Sequence, residues 1–169
     1  MTPSCNEALL ELIEISPRDR ILELNCGEGA ITMLLAARVP EGLVAATDPS
    51  GDAIRGARLL ARDLDNVMFF TGDEPHIPWK DDFFSKALSH GLPASLADVL
   101  RVLVPGGVFY VTWESDEGPV SEWVARLQAA GFAHLETTPL AESHTLILGK
   151  KPEPGGEPGQ GTQMNADAR

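Results

Sequence analysis

The sequence predicts an α/β domain with a doubly wound, mostly parallel sheet of seven strands and helices on both faces. Three observations favour this fold class. Apolar runs of strand length alternate with amphipathic segments of helix length along most of the chain. The run at 43–47 is continuously apolar, which is typical of a strand covered on both faces. A glycine-studded turn at 25–29 joins the first strand to a helix, as in parallel sheets that bind ligands at their carboxyl edge.

The first half of the chain alternates helix and strand signals from its first leucines onward. Leucines and isoleucines with acids between them predict a helix over 4–15, ending before Pro17. An apolar run predicts a strand at 21–25, and the segment 29–39 reads as a helix closed by Pro-Glu-Gly. The next strand is predicted at 43–47.

The middle of the chain continues this alternation. Ser50 is the expected N-cap of a helix, and the inner face of that helix is expected to hold Ala53, Ile54, Ala57, Leu60 and Ala61. Strands are predicted at 67–71 and 83–89, a helix at 93–103, and a strand at 108–113 after the turn residues Pro-Gly-Gly.

The end of the folded part breaks the alternation. A helix is predicted over 119–130, ending at Gly131. Two strands, 134–138 and 145–148, follow with no helix between them. The domain is therefore expected to span 1–149. The remaining residues, 150–169, are rich in Pro, Gly and Gln and are expected to form a flexible tail.

Composition limits the classes of partner. The 169 residues carry a formal net charge of −12. The predicted tail has equal numbers of acidic and basic residues, so the excess belongs to the domain, and its field would repel nucleic acid. No apolar run is long enough to span a membrane, and a cytoplasmic protein without membrane partners is expected. The two cysteines offer neither a disulfide framework nor a zinc spacing, and no metal site is expected.

The first turn and the next strand end together indicate a nucleoside cofactor. Small residues at 25, 27 and 29 let backbone approach a ligand closely. Asp48, just after the second strand, can accept hydrogen bonds from a ribose diol, although it could also cap the following helix. The dinucleotide fingerprint would require glycine at positions that hold Asn25 and Ala30, so a nucleotide-linked oxidoreductase is disfavoured.

Four stretches in order resemble the successive motifs of class I S-adenosylmethionine-dependent methyltransferases. They are "ILELNCGEGA", "AATDPS", "FFTGDEPHIPWKDDFFSKALS" and "VLRVLVPGGVFYVTW". The resemblance covers about 18–114 and implies a Rossmann-like fold, S-adenosylmethionine as cofactor and methyl transfer to a small-molecule acceptor. The chain has Asn25 where the family has glycine, and Ser85 where it has aspartate. A methyltransferase-like binding or partner subunit without catalysis is therefore the alternative function.

The resemblance also implies roles for residues at the strand ends. At the methionine end of the cofactor, contacts are expected from Glu23, Asn25, Cys26, Gly27 and Gly29. Asp48 and Pro49 are expected at the ribose and adenine, and Gly72, Asp73 and Glu74 at the adenine amino group. Ser89 is expected beside the methyl group.

His90, at the end of the fourth strand, is the expected general base, because imidazole exchanges protons near neutrality. It could instead only brace the strand end. His76 and Glu114 are weaker candidates for the site, whereas His134 and His144 are expected to lie away from the cofactor edge. The acceptor pocket is expected to be open, closed by the first helix or by a second subunit of a homo-oligomer.

Overall fold

A single sheet organises the chain. The computed structural model describes residues 5–72, 76–141 and 143–155. The sheet has seven strands in the order β3-β2-β1-β4-β5-β7-β6. The strands are β1 (Arg20–Leu24), β2 (Leu43–Asp48), β3 (Val67–Thr71), β4 (Phe84–His90), β5 (Leu103–Glu114), β6 (Ala133–Ala141) and β7 (His144–Lys150). The helices are α1 (Cys5–Leu12), α2 (Ala30–Arg38), α3 (Gly51–Leu60), α4 (Leu96–Val102) and α5 (Val120–Ala130). The predicted fold class is confirmed.

The first five strands run parallel, and the late hairpin makes the sheet mixed. β1 pairs with β2 and β4, and β4 pairs with β5, all in parallel. β7 is antiparallel to both β5 and β6, and Glu114 pairs with His144. The start of β7 therefore lies at the same edge as the carboxyl ends of β4 and β5.

Helices cover both faces because side chains alternate along each strand. In β1, Ile21 packs with α1 and α2, whereas Leu22 packs with α4 and α5. In β2, Ala46 packs with α3, on the same face as Ile21. The three amino-terminal helices thus occupy one face, and the last two occupy the other.

Two details of the helices differ from the sequence-based expectations. Leu60, expected on the inner face of α3, is 68% exposed, whereas Ala61, expected on the same face, is buried. α4 begins at Leu96 rather than near Pro93, because the Ser95 side chain caps it by accepting from the amide of Asp98. Ser50 caps α3 as expected, accepting from the amide of Ala53.

The ordered backbone continues past the expected domain boundary at residue 149. Lys150 is the last residue of β7. The backbone of Lys151 exchanges hydrogen bonds with Gly106 and Gly107, and its ammonium donates to Asp82 at 2.6 Å and to the carbonyl of Leu103 at 2.7 Å. The expected tail beyond 155 lies outside the described residues.

Within the described ranges, no helix is both long and apolar enough to cross a membrane.

Candidate active site

The loop after β1 has the left-handed backbone that its small residues suggest. Asn25 has φ +56°, Gly27 +56° and Gly29 +82°. A Cβ at Gly29 would lie 3.2 Å from the Cβ of Ala57, so the close approach of α3 also requires glycine there. Asparagine tolerates this backbone region better than most residues. Asn25 therefore adopts the conformation that glycine would take in the family's motif.

Asp48 connects this loop to the start of α3. Its carboxylate accepts from the amide of Gly27 at 2.8 Å and from the amide of Ser50 at 2.8 Å. The residue is 9% exposed. Each carboxylate oxygen retains a further lone pair, so ribose hydroxyls can still donate to it. Pro49 is exposed beside it.

Glu23 is fully buried, and both of its carboxylate oxygens have partners. The hydroxyl of Thr32, also fully buried, donates to Oε2 at 2.6 Å. The other oxygen, Oε1, lies 3.3 Å from Nε2 of His90. The Asn25 side-chain amide donates to the backbone carbonyl of His90 at 3.0 Å. Two residues at the end of β1 therefore hold both the backbone and the ring of His90.

The Cys26 thiol lies under the same loop and stays protonated. Burial, with the nearby carboxylates of Glu23 and Asp48, raises its pKa to about 12. Because the thiolate is the nucleophilic form, this cysteine is inert near neutrality.

A cavity of about 200 Å³, the cofactor cavity, opens beyond the carboxyl ends of β1, β2 and β3. Of the expected cofactor residues, Asn25 and Gly72 line it. The amide of Gly72 donates to the carbonyl of Asp48 at 3.1 Å. Asp73 and Glu74 lie outside the described residues. His76, a weaker candidate for the site, also lines it. The other lining residues were not expected from the sequence: Leu24, Thr47, Phe70, Thr71, Ile77, Pro78, Pro93, Ala94, Ser95 and Val99.

The wall formed by 76–78 is fixed by Arg101 of α4. Its guanidinium donates to the carbonyls of Ile77 at 2.8 Å and Trp79 at 2.7 Å, and to the carboxylate of Asp98 at 2.6 Å. Asp98 also accepts from the amide of Ile77. Burial raises the pKa of Asp98, but the hydrogen bonds from Arg101 and Ile77 outweigh it and leave that pKa below its usual value. The loop at 76–78 thus has a defined shape, although it has no regular secondary structure.

A second cavity of about 340 Å³ lies beyond β4, β5 and β7, beside α1, and as the candidate site for the methyl acceptor it is named the acceptor cavity. It is lined by Asn6, Leu9, His90, Gly91, Thr112, Trp113, Glu114, Glu117 and His144. The expectation that His144 lies away from the cofactor edge is wrong. β7 runs antiparallel to β5, so its first residue reaches the edge where the parallel strands end.

The acceptor cavity is polar. His144 Nε2 lies 3.6 Å from a carboxylate oxygen of Glu114, and Glu117 accepts from the amide of Glu114 at 2.8 Å. The Trp113 side chain packs against the core on the α4 and α5 face of the sheet, and its indole N–H is buried without a hydrogen-bond partner among the described residues.

Ser89 lies near the end of β4, and its expected contact with the cofactor stays a prediction. It is fully buried and donates to the carbonyl of Gly91 at 2.6 Å, and it lines neither cavity. Side chains alternate along β4, so His90 reaches the acceptor cavity and Ser89 does not. His76 lines the cofactor cavity instead of the acceptor side, and exposed His134 lines neither.

Ser85 lies at the opposite edge of the sheet. Its hydroxyl donates to Asp19 at 2.8 Å and accepts from the amide of Arg20 at 3.1 Å, joining the amino ends of β1 and β4. The residue that departs from the family's aspartate is therefore structural, and it lies away from both cavities.

Comparisons with known proteins agree with this geometry. A family model described as a methyltransferase domain matches residues 21–107. YrhH of Bacillus subtilis, which is named as a methyltransferase, is 27% identical over 126 residues, 70% of each chain.

Two further relatives are named for quite different acceptors. Trans-aconitate 2-methyltransferase of Methylobacterium nodulans is 36% identical over 109 residues, 61% of this chain and 41% of that protein. A 23S rRNA methyltransferase of Cronobacter sakazakii is 36% identical over 115 residues, 61% of this chain and 26% of that protein. The chain thus spans less than half the length of these two relatives.

The fold likewise has solved counterparts. A crystal structure of an S-adenosylmethionine-dependent methyltransferase from Aquifex aeolicus superimposes with a TM-score of 0.75 at 19% identity, covering 87% of this chain and 89% of that one. With the family model covering the β1–β5 region, the chain belongs to the class I S-adenosylmethionine-dependent methyltransferases.

Proposed function

We propose that this methyltransferase acts on a small-molecule acceptor bound in the acceptor cavity, with His90 as general base. One observation carries the proposal: the two cavities meet at a hydrogen-bonded pair of residues. Asn25 lines the cofactor cavity, His90 lines the acceptor cavity, and the Asn25 side chain donates to the His90 carbonyl at 3.0 Å. An acceptor beside His90 would therefore lie next to the cofactor.

The residues around the cofactor cavity fit S-adenosylmethionine. Phe70, Ile77 and Pro78 offer an apolar slot for a flat base, and the carboxylate of Asp48 lies at the adjoining loop. A Cβ added at Gly27 would meet nothing within 4 Å, so the backbone there is open to a ligand. The cofactor supplies a methyl group activated by the positive charge of its sulfonium.

The surroundings of His90 support a role in taking a proton from the acceptor. Methyl transfer needs a base only when the attacking atom arrives protonated, and alignment supplies much of the remaining acceleration. The ring is partly exposed within the acceptor cavity, and its backbone is fixed by Asn25. A base held in this way can act without reorganising.

The charge of the acceptor cavity supports a small acceptor that is not anionic. Its lining carries the carboxylates of Glu114 and Glu117, and it includes neither lysine nor arginine. Each lining histidine already faces a carboxylate. A carboxylate acceptor would lack a fixed cation, and a polynucleotide would meet a chain of net charge −12.

The alternative of a partner subunit without catalysis rests on Asn25 and Ser85, and the positions of both residues weaken it. Asn25 keeps the left-handed backbone of the loop, and Ser85 serves a hydrogen-bond network at the opposite edge. Neither substitution obstructs a cavity.

The test measures release of S-adenosylhomocysteine with a panel of amines, phenols, thiols and carboxylates of matched size, and with a structured RNA. We expect turnover with a neutral or cationic small molecule and none with RNA. His90→Ala should retain cofactor binding and lose about 10²–10⁴-fold in turnover.

His134→Asn is the matched control, because His134 lies outside both cavities and asparagine accepts its φ of +51°. Unchanged turnover in a stable, cofactor-bound His90→Ala protein would refute the base assignment. Turnover with RNA alone would refute the small-molecule assignment.

A further inference from the structure

Glu23 is a buried carboxylate whose burial requires an explanation. It is 0% exposed in the middle of a parallel sheet. Burying a charge is costly unless it is paired and hydrogen-bonded. Its two partners are the Thr32 hydroxyl at 2.6 Å and the His90 ring at 3.3 Å.

These contacts differ from the role that the family resemblance implies. A residue at the methionine end of the cofactor would present an oxygen to the cofactor cavity. Glu23 lines neither that cavity nor the acceptor cavity. Its oxygens are directed to α2 on one side and to the end of β4 on the other.

We propose that Glu23 is a positioning residue for His90 and acts through the imidazole. This rests on the proposed function of His90 as base. The carboxylate accepts from Nε2–H, which leaves Nδ1 unprotonated and able to take the acceptor's proton. Thr32 holds the second carboxylate oxygen, and Asn25 holds the His90 backbone, so the ring keeps one tautomer and one orientation.

The titratable groups near His90 come from several elements. Glu23 of β1 contacts the ring at 3.3 Å, whereas Glu114, Glu117 and His144 of β7 line the same cavity and pair among themselves, His144 with Glu114 at 3.6 Å and Glu117 with the amide of Glu114 at 2.8 Å. α1 contributes Asn6 and Leu9, which do not titrate. The Glu23 carboxylate stabilises the imidazolium that forms when the proton is taken. The acceptor's lone pair then attacks the methyl carbon, and the carbon–sulfur bonding pair returns to sulfur.

The first measurement needs neither cofactor nor acceptor. ¹⁵N NMR of the ligand-free wild-type protein should report the Nε2–H tautomer for His90. In Glu23→Gln the amide keeps its oxygen for Thr32 and presents an N–H to Nε2, so the ring should shift to the Nδ1–H tautomer. Thr32→Val is the matched control, because it removes the hydroxyl but leaves the carboxylate facing His90, and its ring should keep the wild-type tautomer.

The second measurement links the tautomer to the reaction. Glu23→Gln should lower kcat by at least about 10-fold, but by less than His90→Ala, which removes the base itself, and it should flatten the pH profile of kcat. Its affinity for S-adenosylhomocysteine should stay within about twofold, since uncharged Gln fills the same space.

Three results would overturn the proposal. An Nδ1–H tautomer in the wild-type protein would do so even if Glu23→Gln failed to fold. An unchanged tautomer with a large loss of S-adenosylhomocysteine affinity would make Glu23 a cofactor ligand. A lower melting temperature with unchanged tautomer and affinity would make it structural only. Unchanged turnover in His90→Ala would refute the proposed function of His90 as base, but the tautomer result would stand.

Discussion

Replacing Asp48 by alanine should affect both stability and cofactor affinity. The substitution removes two hydrogen bonds of 2.8 Å, from the amides of Gly27 and Ser50, to a carboxylate that is 9% exposed. Hydrogen bonds to charged groups contribute roughly 1.5–3 kcal/mol each. Gly27 is half-buried and Ser50 is exposed, so in the variant hydrogen bonds to water replace part of the lost hydrogen-bond free energy. We expect a loss of about 2–3 kcal/mol in the free energy of unfolding, or roughly 5–10 °C in Tm.

Cofactor affinity should fall separately, because the ribose diol loses its acceptor. Two charge-assisted hydrogen bonds together contribute on the order of 2–4 kcal/mol, which corresponds to about 30- to 900-fold in Kd. Calorimetric titration with S-adenosylhomocysteine measures this, at a temperature where the variant is folded. The cofactor affinity of Asp48→Asn should lie between those of the wild type and the alanine variant, since the asparagine amide oxygen can still accept one of the two backbone hydrogen bonds.

Asp52→Ala is the control, because Asp52 is an exposed acid in the first turn of α3 that pairs with Arg55. It should change stability by less than about 0.5 kcal/mol and leave affinity unchanged. Unaltered affinity in Asp48→Ala would refute the ribose assignment. An unaltered Tm would refute the argument that this carboxylate braces the loop.

Three further outcomes are expected from other parts of the fold. In a Cys5→Ser background, Cys26 should react with iodoacetamide at least about 100-fold more slowly in the native protein than in urea, because burial raises its pKa to about 12. Burial raises the pKa of Asp19, but its contacts with Lys86, Ser16 and Ser85 outweigh burial and hold that pKa below its usual value. The Asp19 carboxylate therefore stabilises the fold at pH values above the pKa that it has in the unfolded chain. Asp19→Asn should therefore be less stable than wild type at neutral pH, and the difference in Tm should shrink as the pH falls below about 4. Arg101→Ala should lower the free energy of unfolding by about 2–4 kcal/mol and weaken S-adenosylhomocysteine binding, because it releases the carbonyl of Ile77 and removes the guanidinium partner of Asp98. Denaturation and calorimetry measure the two effects.

The sequence predicted the sheet and the cofactor edge because their signals are local. Strand and helix periodicity, the Ser50 cap and the left-handed residues at 25–29 depend on neighbours in the chain. Leu60 shows the limit of that reasoning: an apolar residue at helical spacing lies 68% exposed, because α3 turns its buried stripe toward Ile54 and Ala57.

The acceptor side could not be predicted in the same way, because it depends on strand direction. His144 reaches the cavity only because β7 runs antiparallel to β5, and residue spacing carries no sign of that pairing. The 76–78 wall is likewise shaped by Arg101, more than twenty residues later in the chain. The burial of Glu23 against Thr32 and His90 required the packed sheet to be seen.

The antiparallel β7 also separates two tasks that evolution or an engineer can alter independently. The cofactor cavity is built on the parallel strands β1 to β3, whereas His144, the first residue of β7 after its short connection from β6, lines the acceptor cavity. Hairpin connections accept insertions with little cost to the sheet. Lengthening this connection would add walls, or a lid, over the acceptor cavity while the cofactor loops stay unchanged. If the acceptor binds in this cavity, we expect insertions at this short turn to change the range of acceptors without changing cofactor affinity.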